Sequence, residues 1–297
     1  MYLQTATARI NTAPPSVRWE NEVVMLRLTE ESEAEVLDFL SERPMHTVAM
    51  TGFITDNGLV SELNRGAFYG CRNLQGKLEG VALIGHATLM ETRTDRALQS
   101  FADLARRSAT SHMILGEQER IDEFWSYYSE GGQVMRFACR ELLMELRWPV
   151  QVREEVLEMR VATIGDIDLL LPVHAQMAFE ESGINPMEKD PEGFRERYAR
   201  RIAKGRTWVC VEEGRLTFKA DVVSDTPEAV YVEGVWVSQA VAGTGYGLRC
   251  MSQLARNLLS RTRSIVLFVN EDNKKAQHYY QKAGFSFRAA YDTIFLK

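Results

Sequence analysis

Gly243, Gly245 and Gly247 stand between an apolar run, Val232 to Val237, and a second run in which Leu248, Met251, Ala255 and Leu258 recur at helical spacing. A strand, a glycine turn and a helix start in that order make a phosphate cradle. Without a Cβ the turn can take positive φ, and the first amides of a helix have no intrahelical acceptor and lie at its positive end. A nucleoside-triphosphate loop is excluded, because Gly247 is followed by Leu248 and Arg249 where such a loop needs Lys and then Ser or Thr. A dinucleotide fold would place its glycines after the first strand of the chain, with an acidic residue about 20 positions on; these glycines come late, and the next strand ends in Asn270-Glu271-Asp272-Asn273. The bland alternative is a glycine turn that binds nothing.

The residues downstream favour a ligand. Asn270, Asn273, Ala276, Tyr280, Gly284 and Phe285 follow a predicted strand over 264–269. Together with the glycine loop, this segment resembles the GNAT superfamily of N-acetyltransferases from about residue 157 to the end. The resemblance extends to a bacterial tandem subgroup in which a degenerate first half precedes an intact second half. Glu180-Glu181-Ser182-Gly183 with Pro186, Phe218-Lys219-Ala220, Glu233-Gly234-Val235 and Tyr291-Asp292-Thr293 carry that second likeness.

The resemblance implies an acetyl-CoA-dependent acyltransferase, with direct attack of an amine on the thioester. Val235, Trp236 and Val237 would line the pantetheine arm, and amides from Ala242, Gly243, Thr244, Gly245, Tyr246 and Gly247 would hold the pyrophosphate. The family usually carries Arg or Gln where this chain has Ala242, and Lys or Arg where it has Thr244. That departure lowers the expected affinity but leaves the main-chain contribution intact. Tyr280 matches the acid that protonates the departing thiolate; a phenol with a reference pKa of about 10 remains protonated at neutral pH. Its alternative is a core aromatic, like its neighbour Tyr279. Asn270 and Asn273 would contact the pantetheine, or Asn273 would cap a helix.

The acceptor ammonium must lose a proton before it attacks. Glu233 is the candidate base, expected on the strand face it shares with Val235 and Val237, or else it is a salt-bridged strand residue. Glu180 and Glu181 precede a loop that would border the acceptor and attract a cationic amine, or they form a solvated acidic helix end. His174 and His278 show no evident partner. A non-catalytic CoA-binding sensor or interaction scaffold would need the cofactor slot without Tyr280, and a longer acyl donor would also fit the motifs. The acceptor, a small molecule or a peptide amine, and the oligomeric state are unread.

At 297 residues, 45% of them hydrophobic, the chain can bury two ordinary cores. The formal net charge of -6 gives no global attraction for nucleic acid or anionic membrane. Cys71, Cys139, Cys210 and Cys250 have neither a Cys-x-x-Cys pair nor a partnering His cluster, so reduced thiols are expected and a metal site is not. Residues 1–22 are polar with Pro14-Pro15, and read as a flexible arm rather than a signal peptide. No apolar run approaches the roughly 20 residues of a membrane span, and a cytoplasmic protein is the expectation.

An internal repeat supports two related halves, 23–150 and 151–297. Val24 to Leu28 with its acidic helix parallels Leu157 to Val161 with the next, and Phe68 to Cys71 with a turn at Gly76 parallels Trp208 to Val211 with a turn at Gly214. The first half has no glycine anywhere in 91–108, where a second cradle would lie, and is expected to be a structural or substrate-covering partner. The repeat gives a duplicated layered α/β unit, and the resemblance implies that it is two GNAT-like domains, each a mixed, mostly antiparallel twisted sheet flanked by helices. In the second half, strands are expected at 156–162, 206–212, 215–223, 229–237 and 264–269, with two more near 285–296. Helices are expected at 165–180, 192–204, 245–260 and 273–283.

Overall fold

The computed structural model describes residues 23–297, and the arm expected over 1–22 lies outside the described residues. The first half runs β1 (Val23–Arg27), α1 (Glu33–Ser41), α2 (Pro44–Asn57), β2 (Gly66–Asn73), β3 (Leu78–Gly85), β4 (Ala87–Thr92), α3 (Asp95–Ala105), β5 (Met113–Glu117), α4 (Gln118–Tyr128) and β6 (Met135–Leu146). The second runs β7 (Met159–Val161), α5 (Ile167–Ser182), α6 (Pro186–Lys189), α7 (Pro191–Ala203), β8 (Thr207–Glu212), β9 (Arg215–Asp225), β10 (Val230–Val237), α8 (Tyr246–Leu259), β11 (Ile265–Asn270), α9 (Lys274–Lys282) and β12 (Ser286–Leu296). The two closing strands expected over 285–296 are one long strand instead. Its hydrogen bonds continue past a register shift between Phe287 and Ala289, because β6 flanks it along its whole length.

All the strands form one sheet, in the order β1-β2-β3-β4-β5-β12-β6-β11-β10-β9-β8-β7. The order is a palindrome of the two halves. β4 pairs β5 in parallel, β10 pairs β11 in parallel, and every other neighbour is antiparallel. The final strand of each half crosses over: β12 adds to β5 of the first half, and β6 adds to β11 of the second. Hydrogen bonding therefore runs unbroken through the point at which the repeat divides the chain, and neither half presents an open central edge.

Helices cover both faces of the second half. The apolar face of α8, with Cys250, Met251, Leu254 and Leu258, packs on Val230, Val232 and Leu267, and α9 adds Tyr280 to this core. On the opposite face α5 and α7 bring Leu170, Leu171, Phe194 and Tyr198 against Val209 and Leu216. In the first half Ile121, Phe124 and Tyr128 of α4 lie in the core, so the aromatic stripe of that helix is packing. Helix α2 reaches across to the second half, where Arg206 Nη2 donates to Asp56 Oδ1 at 2.6 Å.

Candidate active site

The site opens where a parallel strand pair comes apart. β10 and β11 are paired only at Val230↔Ile265 and Tyr231↔Val266, and then diverge. β10 also bulges, because its register with β9 shifts between Glu233↔Asp221 and Trp236↔Lys219, and Gly234 takes φ +58°. One extra residue reverses the alternation of side chains. Glu233 thus shares its face with Trp236, toward α5 and α7, while Val235 and Val237 pack with the α8 core. The expectation that Glu233 lies on the face of Val235 and Val237 is corrected on this ground.

The divergence leaves two adjoining spaces. An inner cleft of about 700 Å³ is lined by Glu141, Glu180, Glu181, Glu233, Asn270 and Tyr280, among others. An outer groove of about 640 Å³ runs along Val235, Trp236, Val237, Ala242, Gly243, Gly245 and Gly247 to Lys275, His278 and Lys282. Val235, Asn273, Ala276 and Tyr280 border both. Thr244 and Tyr246 stand outside the lining: Thr244 Oγ1 donates to Val241 O at 2.8 Å, and the Tyr246 ring is buried with its hydroxyl 3.0 Å from Thr217 Oγ1.

The three glycines do two different jobs. Gly243 and Gly245 have φ of +79° and +84°, and a Cβ on either would meet nothing within 4 Å. Their amides and that of Thr244 have no acceptor among the described residues. Gly247 is helical, and a Cβ there would come within 2.9 Å of Val237 Cγ2, so it lets α8 approach β10. Tyr279 fixes the same junction by donating to Gly247 O at 2.8 Å. In the first half the corresponding helix mouth is occupied by its own chain, since Thr94 Oγ1 accepts from the amide of Ala97 at 3.3 Å at the start of α3.

Tyr280 differs from its neighbour. It is 9% exposed, and its hydroxyl has no hydrogen-bond partner among the described residues. Burial raises its pKa, which keeps the phenol protonated. Asn273 caps α9 by accepting from the amide of Ala276 at 3.0 Å, and Asn270 Oδ1 accepts from the amide of Asp272 at 2.8 Å.

Beneath the bulge lies a buried ionic cluster. Lys219 Nζ donates to Asp221 Oδ2 at 2.6 Å and to Gly234 O at 2.9 Å, and both charged side chains are fully buried. Asp221 also accepts from Thr207 Oγ1 at 2.8 Å and Tyr198 Oη at 3.3 Å. Arg201 joins it to the cleft, with Nη1 2.8 Å from Glu233 Oε1 and 3.8 Å from Asp221 Oδ2. Glu233 is therefore an ion-paired carboxylate. His174 has partners after all: its ring stacks on Tyr198 and Phe194, and Nδ1 lies 3.9 Å from Asp221 Oδ2. Burial lowers its pKa to about 3, helped by Lys219 and Arg201 and opposed by Asp221, so the ring is neutral.

Glu181 is open to cleft water, yet protein crowding and the charges of Glu233 and Glu141 push its pKa to about 7. Glu141 is raised as well, by burial first and by Glu233, with Thr293 Oγ1 donating to it at 2.6 Å. Glu141, Cys139 and Phe137 come from β6. The strand exchange alone brings them here, and no feature of the sequence signals it. The Lys219–Asp221 pair did leave a trace: two charges at alternate positions within an apolar strand. Cys71, Cys210 and Cys250 are buried free thiols, with Cys210 Sγ 3.8 Å from Cys250 Sγ. Among the described residues no group of His, Cys, Asp and Glu is placed to hold a metal ion, and no helix is long and apolar enough to cross a membrane.

Residues 175–285 match the acetyltransferase (GNAT) family, and this segment is a GNAT domain. Residues 23–297 have the architecture of two GNAT-like halves. The chain superposes on a GNAT-family acetyltransferase from Colwellia psychrerythraea with a TM-score of 0.58 at 12% identity, covering 93% of this chain and 100% of that one. It superposes on a tandem GNAT protein from the clavulanic acid biosynthesis pathway with a TM-score of 0.56 at 12% identity, covering 92% and 98%. A Drosophila protein gives a TM-score of 0.67 at 11% identity over 93% and 99%. No curated protein matches the chain in sequence.

Proposed function

We propose that this protein is an N-acetyltransferase in which the outer groove takes acetyl-CoA and the inner cleft takes an amine. The observation that carries the reading is the free hydroxyl of Tyr280 at the boundary of the two spaces, beside the diverging strand and below an open glycine turn.

The residues suit such a donor. Unpaired amides at Gly243, Thr244 and Gly245 near the start of α8 are a receptor for pyrophosphate. Lys275 and Lys282 face the same groove and supply the cations that Ala242 and Thr244 do not. The parting of β10 from β11 leaves the main-chain edge of Val235 to Val237 free for the pantetheine arm. Bound there, acetyl-CoA supplies the acetyl group, whose carbonyl carbon exchanges its C–S bond for a C–N bond to the amine.

The chain's own work is proton handling and orientation. Tyr280, protonated, donates its hydroxyl proton to the sulfur as negative charge develops on it. Glu233, held in place by Arg201, accepts a hydrogen bond from the incoming ammonium or from the water that takes its proton.

Thiol release from acetyl-CoA with a panel of amines tests the reading. Tyr280→Phe is expected to keep its stability and its CoA-induced thermal shift while losing about 10²-fold or more in transfer rate. Transfer by Tyr280→Phe at the parent rate would reject the acid role; a CoA thermal shift with no transfer to any amine would favour a sensor.

A further inference from the structure

Of the carboxylates that line the inner cleft, only Glu233 has an ion-pair partner among the described residues. Glu233 is paired with Arg201, but neither Glu141 nor Glu181 has a cationic side chain within 4 Å among the described residues. The lining of the cleft includes five carboxylates, from Glu141, Glu180, Glu181, Glu233 and Asp272, and no Lys or Arg. Its one imidazole, His174, is neutral. Phe137, Tyr231 and Phe268 turn aromatic surface to the same space, which suits a cation as well as it suits a hydrocarbon linker.

Taking the inner cleft as the acceptor side, an inference that rests on the function proposed above, we propose that the acceptor is a small organic dication. One nitrogen is acetylated beside Glu233, and a second, permanently charged ammonium is held by Glu141 of the first half and Glu181 of α5.

A single amine cannot explain the placement of these groups. The attacking nitrogen must shed its proton and become neutral, so it has no lasting need for further carboxylates once Glu233 is in position. Two more carboxylates line the cleft beside it, each with its pKa raised first by burial and then by the charge of Glu233, and they form a site that stays incomplete until a fixed positive charge arrives. A cleft of about 700 Å³ has room for both nitrogens and the chain between them. Tyr280, nine-tenths buried as a residue, borders the same space with a hydroxyl that no group of the described residues meets, so the reacting end of the cleft is fixed and the carboxylates lie beyond it. Because Glu141 lies on β6, the first half has a task at the site although it has no cradle of its own. In the transfer the free amine forms the C–N bond, the C–S bond breaks, the amine's proton leaves to Glu233 or its water, and the sulfur is protonated by Tyr280. The second ammonium takes no part and is unchanged.

Initial rates of thiol release with acetyl-CoA would be compared for 1,5-diaminopentane, 1-aminopentane, 5-amino-1-pentanol and a lysine-containing peptide with a blocked N-terminus. The expected result is kcat/KM at least about tenfold higher for the diamine than for the monoamine, the difference residing mainly in KM. In Glu141→Gln/Glu181→Gln, and to a lesser degree in Glu181→Gln alone, that preference should collapse. Calorimetric titration of 1,5-diaminopentane into the CoA-saturated full chain supplies a readout independent of turnover. Equal kcat/KM for diamine and monoamine, a preference that survives in the double variant, a peptide that outcompetes the diamine, or no diamine binding to the CoA complex would each overturn the inference. Failure of CoA itself to raise the melting temperature would instead overturn the function proposed above.

Discussion

Lys219 Nζ, fully buried on β9, donates to the carbonyl oxygen of Gly234 across the bulge of β10 at 2.9 Å. The same ammonium meets Asp221, and a Cβ on Gly234 would lie 2.8 Å from Asp221 Oδ2 and 2.9 Å from Lys219 Nζ. A charge pair is thus used as a clamp on backbone geometry, and the bulge it holds lies where the inner cleft meets the outer groove.

Lys219→Met would leave Asp221 as a buried charge without its closest cation. Removing one partner of a buried pair costs about 3–5 kcal/mol, so the urea midpoint should drop markedly. Any folded fraction should show a weaker CoA thermal shift, because the bulge is no longer held. A midpoint within error of the parent would show that the clamp is dispensable.

Gly245 and Gly247 should respond differently to the same change. Gly245→Ala meets no neighbour but must adopt a left-handed conformation, which costs roughly 1–2 kcal/mol. Gly247→Ala drives a methyl into Val237 and should cost about 1–3 kcal/mol through overpacking. Gly245→Glu, which places a negative charge at the cradle, should abolish CoA-induced stabilisation while leaving the fold in place; a retained thermal shift would contradict the assignment of the loop.

The pH dependence of stability separates His174 from Glu181. The folded-state pKa of His174 is depressed to about 3, so its contribution is present above the ordinary histidine value near 6.5 and is lost as pH falls toward 3. Glu181 runs the other way. Its pKa is raised to about 7, so its contribution is present below the usual carboxylate value and is lost as pH rises through about 7. Urea midpoints measured from pH 4 to 8 should show a shallower acid loss in His174→Phe than in the parent, and a smaller decline toward pH 8 in Glu181→Gln. Parallel profiles for parent and variants would refute both assignments.

The exchange of β6 and β12 predicts that the halves do not survive separation. Residues 151–297 alone would lack β6, exposing the edge of β11 and leaving β12 without either of its neighbours. Such a fragment is expected to aggregate or unfold, and adding residues 23–150 in trans should rescue it. A monomeric, cooperatively melting fragment would show that the shared sheet is not needed for folding.

Local signals carried much of this protein. The glycine turn, the cap at Asn273 and the apolar stripe of α8 were legible because each depends on a residue's own backbone preferences or on a short period along one element, whereas Tyr280 stood out as a candidate acid only through the family resemblance. The bounds of α7, α8, β8 and β11 fell within a residue or two of those expected for the same reason. The strand period also predicted the face of Glu233, and there it failed, because one extra residue at Gly234 reverses every side chain beyond it.

What the sequence determined by itself was the inventory of elements and the chemistry each could carry. The tertiary structure alone decided which strands are neighbours, and with that the site. Strand pairing joins residues far apart in the chain through main-chain groups that all residues share, so nothing in Phe137, Cys139 or Glu141 announces a place beside β11. That place follows from the sheet closing on itself, each half completing the other, and it puts Glu141 of the first half into the cleft of the second.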